Sequence, residues 1–298
     1  MLKPQELTAV ILHFRTPERT IGCMRSLIEQ GIQRIVLVDN SEDGGSSLRT
    51  MQSALQTFQR ARIELNILNE DRNLGFAAGV NLALNYINVT GASNVILINS
   101  DARLAPGCVN ALSSSLQKGA AVTAPLLISP NGATRQPISY YQKHTGIRSD
   151  HKLPGAIAYL TGACIALSRD TAKPKLFDED FFFYGEDIML SVQLCRDNMR
   201  CTVTETAQIL HEGAGSARNG SPFYEYHINR GHCLLAAKLA DNGWAFTLNL
   251  TGRVFFLPTR AMIRSIRNLS ISPIRGLFLA IWDVVAERKR TMTPPPFQ

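Results

Sequence analysis

Four short apolar runs in the first hundred residues, with helical spacing between them, limit what this chain can fold into more than any other feature. Thr8 to Phe14, Ile32 to Val38, Ile63 to Leu68 and Asn94 to Asp101 read as strands. In the last of them, Val95 to Ile98 is uninterrupted and rich in β-branched residues, the mark of a strand buried on both faces. Between the runs lie helices. Thr16 stands at an N-cap with Pro17 in the first helical position. Ile21, Met24, Leu27 and Ile28 then follow at helical spacing, and Gly31 ends that helix. Leu48 to Ala61 and Phe76 to Ile87 supply two more. This alternation predicts right-handed crossovers and an α/β fold with a mainly parallel sheet flanked by helices.

Three of the runs stop on acids and amides: Asp39-Asn40-Ser41, Asn69-Glu70-Asp71 and Asn99-Ser100-Asp101. In an open parallel sheet the carboxyl ends of the strands share one edge, and ligands bind just outside it. Each triplet is also good turn chemistry. Three together favour a polar ligand cleft over turns alone. An ionised Asp101 at such an edge can hold a hard divalent cation, which can in turn hold a phosphate. Asn73 to Asn81 (NLGFAAGVN) opens a helix, and Gly75 and Gly79 there permit close approach of a ligand or of neighbouring backbone. It is not the dinucleotide fingerprint, and no P-loop is present.

Beyond Asp101 the pattern loosens. Pro106 starts a short helix and Ala120 to Leu127 is a strand. Ser129 to Pro154, with several glycines, prolines and polar residues, is too long for an ordinary connection and reads as functional or mobile. Ala156 to Leu167 is a strand interrupted by Thr161-Gly162. An aromatic run, Phe181 to Tyr184, leads into Gly185-Glu186-Asp187 and a helix from Ile188 to Arg196. The two acids either complement the helix dipole or include a general base held ionised beside an apolar wall. Cys201 to Leu210 is a strand, after which His211 enters the glycine-rich Glu212 to Ser216 loop, a position suited to a metal ligand. Pro222 to Ala240 is a helix, and Thr293 to Pro296 a tail.

Six cysteines without a C-x-x-C pair argue against a zinc site or disulfide scaffold and fit a reducing cytoplasm. No signal peptide and no spanning apolar stretch are visible. The net charge is +7, but Arg253 to Arg290 holds eight basic residues against two acids, leaving the body about +1. Residues 1–242 are therefore expected to form one domain, with 243–298 a basic, apolar helical segment broken near Pro273. That segment is either a subdomain packed on the sheet with solvated arginines, or an amphipathic element on an anionic membrane surface. The near-neutral body argues against a nucleic-acid binder.

The order of these motifs resembles bacterial glycosyltransferase family 2, including its rhamnosyltransferase-like enzymes of polysaccharide and O-antigen assembly. The resemblance rests on Val10 to Phe14 with Thr16-Pro17-Glu18, Val38 to Ser41, Asn73 to Asn81, Asn99-Ser100-Asp101, Thr161-Gly162-Ala163, Phe182 to Asp187 and His211. It implies a GT-A fold and inverting transfer from a nucleotide sugar, dTDP-rhamnose or a UDP-sugar, to a glycan or lipid-linked acceptor. It also implies a Mg2+ or Mn2+ ion on Asp101 and His211. Phe14, Thr16, Asp39, Asn73, Gly75, Asn81, Asn99, Ser100 and Asp101 would bind the nucleotide sugar. Asn99-Ser100-Asp101 stands where the family has D-x-D, with one acid fewer. Asp187 falls on the catalytic base, with Glu186 beside it. The helix that follows lacks the further acid found in many relatives, and Arg196 stands in for their later arginine. A sugar nucleotidyltransferase is the alternative enzyme class, but it would usually carry a glycine-rich basic loop after the first strand, unlike Phe14 to Pro17. Peripheral contact with the cytoplasmic face of the inner membrane would run through residues 244–290.

Overall fold

A computed structural model describes residues 7–91, 93–213 and 220–286. The loop from Ala214 to Ser216, the basic triplet Arg288-Lys289-Arg290 and the Thr293 to Pro296 tail lie outside the described residues.

The first half follows the strand–helix alternation: β1 (Leu7–His13), α1 (Pro17–Ile28), β2 (Arg34–Asp39), α2 (Ser46–Arg60), β3 (Glu64–Asn69), α3 (Gly75–Gly91) and β4 (Asn94–Asn99). These four strands pair in parallel in the order β3-β2-β1-β4. The period-2 geometry of a strand sends alternate side chains to opposite faces. Leu7, Ala9 and Ile11 meet Cys23, Met24 and Leu27 of α1 and Met51 of α2 on one face. Val10, Val36 and Val38 meet Val80, Leu84 and Ile87 of α3 on the other. Burial on both faces explains why these strands read as continuous apolar runs, each large side chain contributing about 1.5–3 kcal/mol. Thr16 does occupy the N-cap position of α1, but its side chain makes no capping bond; Pro17 follows it inside the first turn.

The register aligns the polar strand ends. His13 stands opposite Asp39, Asp39 opposite Asn69, and Leu12 opposite Asn99. The shared edge read from the sequence is therefore present.

The second half is β5 (Ala102–Leu104), α4 (Cys108–Gln117), β6 (Val122–Ile128), β7 (Thr134–Arg135), β8 (Ile138–Gln142), β9 (Arg148–Ser149), β10 (Ala156–Leu160), β11 (Cys164–Leu167), α5 (Glu186–Arg196), β12 (Cys201–His211), α6 (Pro222–Lys238), α7 (Gly243–Asn268) and α8 (Ser272–Val285). It corrects the sequence reading in two places. The main sheet continues as β4-β11-β6-β12-β5 with β7 on β6, and becomes mixed because β11 runs antiparallel to both neighbours. Ala156 to Leu167 is not one interrupted strand. The break at Thr161-Gly162 separates β10 from β11, and the two join different sheets. Ser129 to Pro154, too long for an ordinary connection, holds β7, β8 and β9, and β8 and β9 join β10 in a second, antiparallel three-stranded sheet.

The C-terminal helices pack on α6, with Leu257, Ala261 and Leu277 buried among Cys233, Phe256 and Ile274. Three of the basic residues there are neither solvated nor free for lipid. Arg253 is buried and donates to the carbonyls of His232 (3.3 Å) and Lys143 (2.8 Å) and to the Tyr141 hydroxyl (2.9 Å). Arg260 and Arg264 pair with the fully buried Glu225, Arg264 Nε at 2.8 Å. Asp283 is also buried and accepts from Tyr226 at 2.9 Å. Trp244, Val254, Phe255, Ile263, Ile266, Leu269, Phe278 and Trp282 are exposed.

Candidate active site

The aligned strand ends form one wall of a cleft of about 800 Å³, a volume ordinary for a site that holds a small ligand. Leu12, Phe14, Asn40, Asn73, Gly75 and Phe76 line one end, and Asn99, Ser100 and Asp101 continue the wall. Thr161, Gly162 and Ala163 lie beside them, where the Asn99 amide donates to the Ala163 carbonyl at 3.0 Å. The small sheet and the turn after β9 supply Ser139, Arg148, Asp150 and His151, and β7 adds Arg135. Phe182, Phe183, Glu186, Asp187, Phe223 and Tyr224 complete the cleft, with His211 at the edge.

Asp101 and His211 meet because the chain makes a long-range strand pair. β12 runs antiparallel to β5 with His211 opposite Ala102, and the Glu212 amide donates to the Asp101 carbonyl at 3.3 Å. His211 Nε2 then lies 3.4 Å from Asp101 Oδ1. Burial alone would raise the Asp101 carboxyl, but the hydrogen bond and charge of His211, helped by Arg19, hold it below its ordinary value. Arg19 itself pairs with Glu212 at 3.2 Å. Among the described residues no group of three or more His, Cys, Asp and Glu side chains could enclose a metal ion. Asp101 and His211 are a two-donor set.

Glu186 and Asp187 reach the cleft through a sharp turn. Tyr184 and Gly185 both take positive φ (73° and 109°), and a Cβ at Gly185 would strike the Phe181 ring. The chain then enters α5 with both acids in its first turn. The Ile188 amide donates to Asp187 Oδ1 at 2.9 Å. Burial is the main influence on both carboxyls. It pushes Asp187 up to about 6, with Arg148 the largest opposing effect. Burial and the charge of Asp187 push Glu186 up to about 8. Glu186 Oε2 is buried and has no hydrogen-bond partner among the described residues. Both carboxyls are raised, and Glu186 holds its proton more tightly than Asp187 does. Burial therefore weighs more on both acids than their place in the first turn of α5.

The other sequence-derived residues divide into two groups. Phe14, Asn73, Gly75, Asn99, Ser100 and Asp101 line the cleft. Asp39, Thr16 and Asn81 do not. Asp39 is buried and accepts from the Ser41 amide at 2.9 Å, and its neighbour Asn40 faces the cleft instead. Asn81 is buried and bridges α3 to the loop before α5: its amide donates to the Phe177 carbonyl and to Glu179, both at 2.8 Å, and its oxygen accepts from the Phe177 amide at 3.0 Å. Asn40 donates to the Gly75 carbonyl at 2.9 Å and so ties the second strand end to the glycine segment. Arg135, Ser139, Arg148, Asp150 and His151 were not singled out from sequence. The one signal for them was the unusual length of Ser129 to Pro154.

Comparisons with known proteins bear on the family and the fold. The family described as Glycosyl transferase family 2 matches residues 8–173, more than half of the chain. The match ends before Glu186, Asp187 and His211. No curated protein sequence matches. Among solved structures, GalNAc-T7 with UDP, GalNAc and Mn2+ is similar over 97% of this chain, at a TM-score of 0.60 and 12% identity. This chain spans only 58% of that one. The mannosyltransferase PcManGT from Pyrobaculum calidifontis, in complex with GDP-Man and Mn2+, is similar over 97% of this chain and 90% of its own, at 0.54 and 14%. S. aureus TarS 1-349 is similar over 94% and 82%, at 0.55 and 13%. At these identities the likeness is one of fold, the GT-A type with a central sheet flanked by helices.

Proposed function

The chain belongs to glycosyl transferase family 2, and from that membership we propose that it is an inverting enzyme moving a sugar from a nucleotide sugar to a hydroxyl of a glycan or lipid-linked acceptor. One observation carries the reading: the Asp101–His211 pair and the Glu186–Asp187 pair open onto the same cleft. Membership supports glycosyl transfer over the sugar nucleotidyltransferase alternative. The resemblance to rhamnosyltransferase-like members favours dTDP-rhamnose or a UDP-sugar as donor, with a place in polysaccharide or O-antigen assembly.

The donor set fits a divalent ion. A carboxylate oxygen and an imidazole nitrogen, with Asn99 and Ser100 adjacent, leave positions for diphosphate oxygens and water, the usual way Mg2+ is shared between protein and phosphates. Mn2+ accompanies nucleotide or nucleotide sugar in two of the similar structures. Bound there, the ion would act as a Lewis acid on the leaving diphosphate, an effect of several kcal/mol. Asp101, whose carboxyl is held below its ordinary value, and His211 would hold the ion. Phe14 and Asn73 border the space for the nucleoside, and Gly75 keeps the backbone low beside it. Asp187, ionised at neutral pH, takes the proton of the acceptor hydroxyl as that oxygen attacks the anomeric carbon from the side opposite the diphosphate. The protonated Glu186 adds no second negative charge against the incoming oxygen. Residues 1–242 carry this chemistry in the proposal, and the helices within 243–286 seat the small sheet and face lipid.

The lipid-facing part of the proposal rests on the exposed apolar side chains of α7 and α8. Between 244 and 286 the only acid is Asp283, which is buried, whereas Arg267 and Arg275 are exposed. A second copy of this surface would bring arginines together with no acid to pair them. An anionic lipid surface suits both the apolar side chains and the charge. Among the described residues no helix is long and apolar enough to cross a membrane.

The test is a panel of UDP-, GDP- and dTDP-sugars with Mn2+ or Mg2+, scored for release of nucleoside diphosphate. Metal-dependent release from one donor class, abolished by Asp101→Ala, is the expected result. Release from none would overturn the reading.

A further inference from the structure

The small sheet brings one more charged group to the wall that carries the two acids. Arg148 lies on β9 and lines the cleft together with Glu186 and Asp187. Its side chain is exposed to the cleft rather than packed. Among the described residues it forms no ion pair at contact distance, yet its charge acts on Asp187, Asp150, Tyr159 and Tyr184.

Arg148 is held in place from behind. It stands opposite Tyr141 in the β8–β9 pair. The Tyr141 hydroxyl accepts from Arg253 of α7 at 2.9 Å and shares a hydrogen bond with His232 Nδ1 of α6, also at 2.9 Å. Arg253 also donates to the Lys143 carbonyl within the hairpin turn, and His144 Nδ1 meets Asn249 Oδ1 at 2.9 Å. Gly252 has no Cβ where the His144 carbonyl sits against it. The hairpin that carries Arg148 is thus bolted to two helices.

We propose that Arg148 is a positioning residue for the general base, its guanidinium set by the clamped hairpin to place positive charge against the Asp187 carboxylate where the acceptor hydroxyl enters. The proposal rests on the reading of Asp187 as base. The titratable and charged groups that act on Asp187 are Glu186 from its own helix, Tyr184 from the preceding turn, Tyr159 from β10 and Arg148 from β9, and Asp150 acts on Arg148 and Tyr159. Arg148 is the one permanent cation in that set, and it opposes the burial that would otherwise leave Asp187 protonated. An Arg placed this way also leaves donors free for the acceptor, since it makes no direct pair with the base.

The experiment uses the full chain with 13C-carboxyl-labelled aspartate. Asp187→Asn identifies the Asp187 resonance by its disappearance, and the carboxyl is titrated in wild type, Arg148→Gln and Arg148→Lys. The expected result is a rise of the Asp187 midpoint by about one pH unit or more in Arg148→Gln and a smaller rise in Arg148→Lys. The acid limb of donor hydrolysis by water is expected to move with it. Since Arg148 is exposed and forms no ion pair at contact distance among the described residues, the Gln variant is expected to unfold at the wild-type temperature. An unmoved Asp187 midpoint in either folded variant overturns the proposal. A midpoint that moves while no nucleotide sugar is hydrolysed supports the link between Arg148 and Asp187 and overturns the glycosyl-transfer reading instead.

Discussion

Gly75 and Phe182 are in backbone contact. A Cβ on Gly75 would collide with the Phe182 carbonyl, and the Phe76 amide donates to that same carbonyl at 2.9 Å. This contact joins the loop that opens α3 to the aromatic run before α5, so the Asn73 to Asn81 and Phe182 to Asp187 motifs both reach the cleft. Gly75 also holds φ at +77°, a left-handed conformation that costs other residues energy. Gly75→Ala is expected to destabilise the fold by about 2 kcal/mol or more, from the strain and the clash together, and to weaken donor binding. Thermal unfolding and donor titration measure the two effects.

Asp187→Asn is expected to fold normally and to lose ~10²- to 10⁴-fold in turnover, the usual contribution of a general base. In the wild type, turnover should rise with pH through about 6 as Asp187 ionises. A variant with near-normal turnover at pH 7 would remove Asp187 from the mechanism.

Glu186 predicts a stability effect of definite sign. Its folded-state value, about 8, lies above its ordinary 4.5, so the folded state holds this proton more tightly than the unfolded chain does. The stabilisation is complete below about 4.5 and is lost as pH rises towards 8. Glu186→Gln cannot ionise. Its melting temperature should therefore fall less than that of the wild type between pH 5 and pH 9, as differential scanning calorimetry would show.

Asp101→Ala and His211→Ala are each expected to weaken nucleotide-sugar binding when Mn2+ is present and to change it little when metal is chelated. Calorimetric titration with and without chelator separates the cases. Equal weakening in both would make Asp101 a structural cap and nothing more.

Arg253→Met removes a buried guanidinium that satisfies two carbonyls and the Tyr141 hydroxyl. Leaving buried acceptors unpaired is expected to cost about 3 kcal/mol or more, read as a lowered urea midpoint. Hydrogen exchange should quicken first in the β8–β9 hairpin.

Phe255 and Ile266 are largely exposed on α7, so replacing both by serine should leave the melting temperature unchanged. If α7 and α8 meet a membrane, the double variant of the full chain should float less with vesicles rich in anionic lipid. Equal flotation of variant and wild type would remove the membrane proposal.

The strands of the first half were legible because each carries its own evidence: a run of apolar residues, a polar stop and a helix cap, all within a few positions. The same locality exposed Asn99 to Asp101 as a strand end and Gly75 as a backbone constraint. It misled where local pattern and tertiary role diverge. Asp39 looks like an open carboxylate at a sheet edge, yet it folds back on the Ser41 amide, and Asn40 takes the outward place. The C-terminal arginines look like surface charge, but Arg253, Arg260 and Arg264 are consumed by buried partners on α6 and the small sheet.

The sequence alone determined the α/β alternation, the alignment of polar strand ends and the identity of the acids. Those features depend on side-chain period and on residues a few positions apart. Only the tertiary structure decided that His211 meets Asp101, that part of Ser129 to Pro154 lines the cleft, and that Arg148 and Asp187 line the same cleft. Each of these depends on pairing between strands distant in the chain, and the balance of burial against charge that splits Glu186 from Asp187 arises only once those strands enclose them.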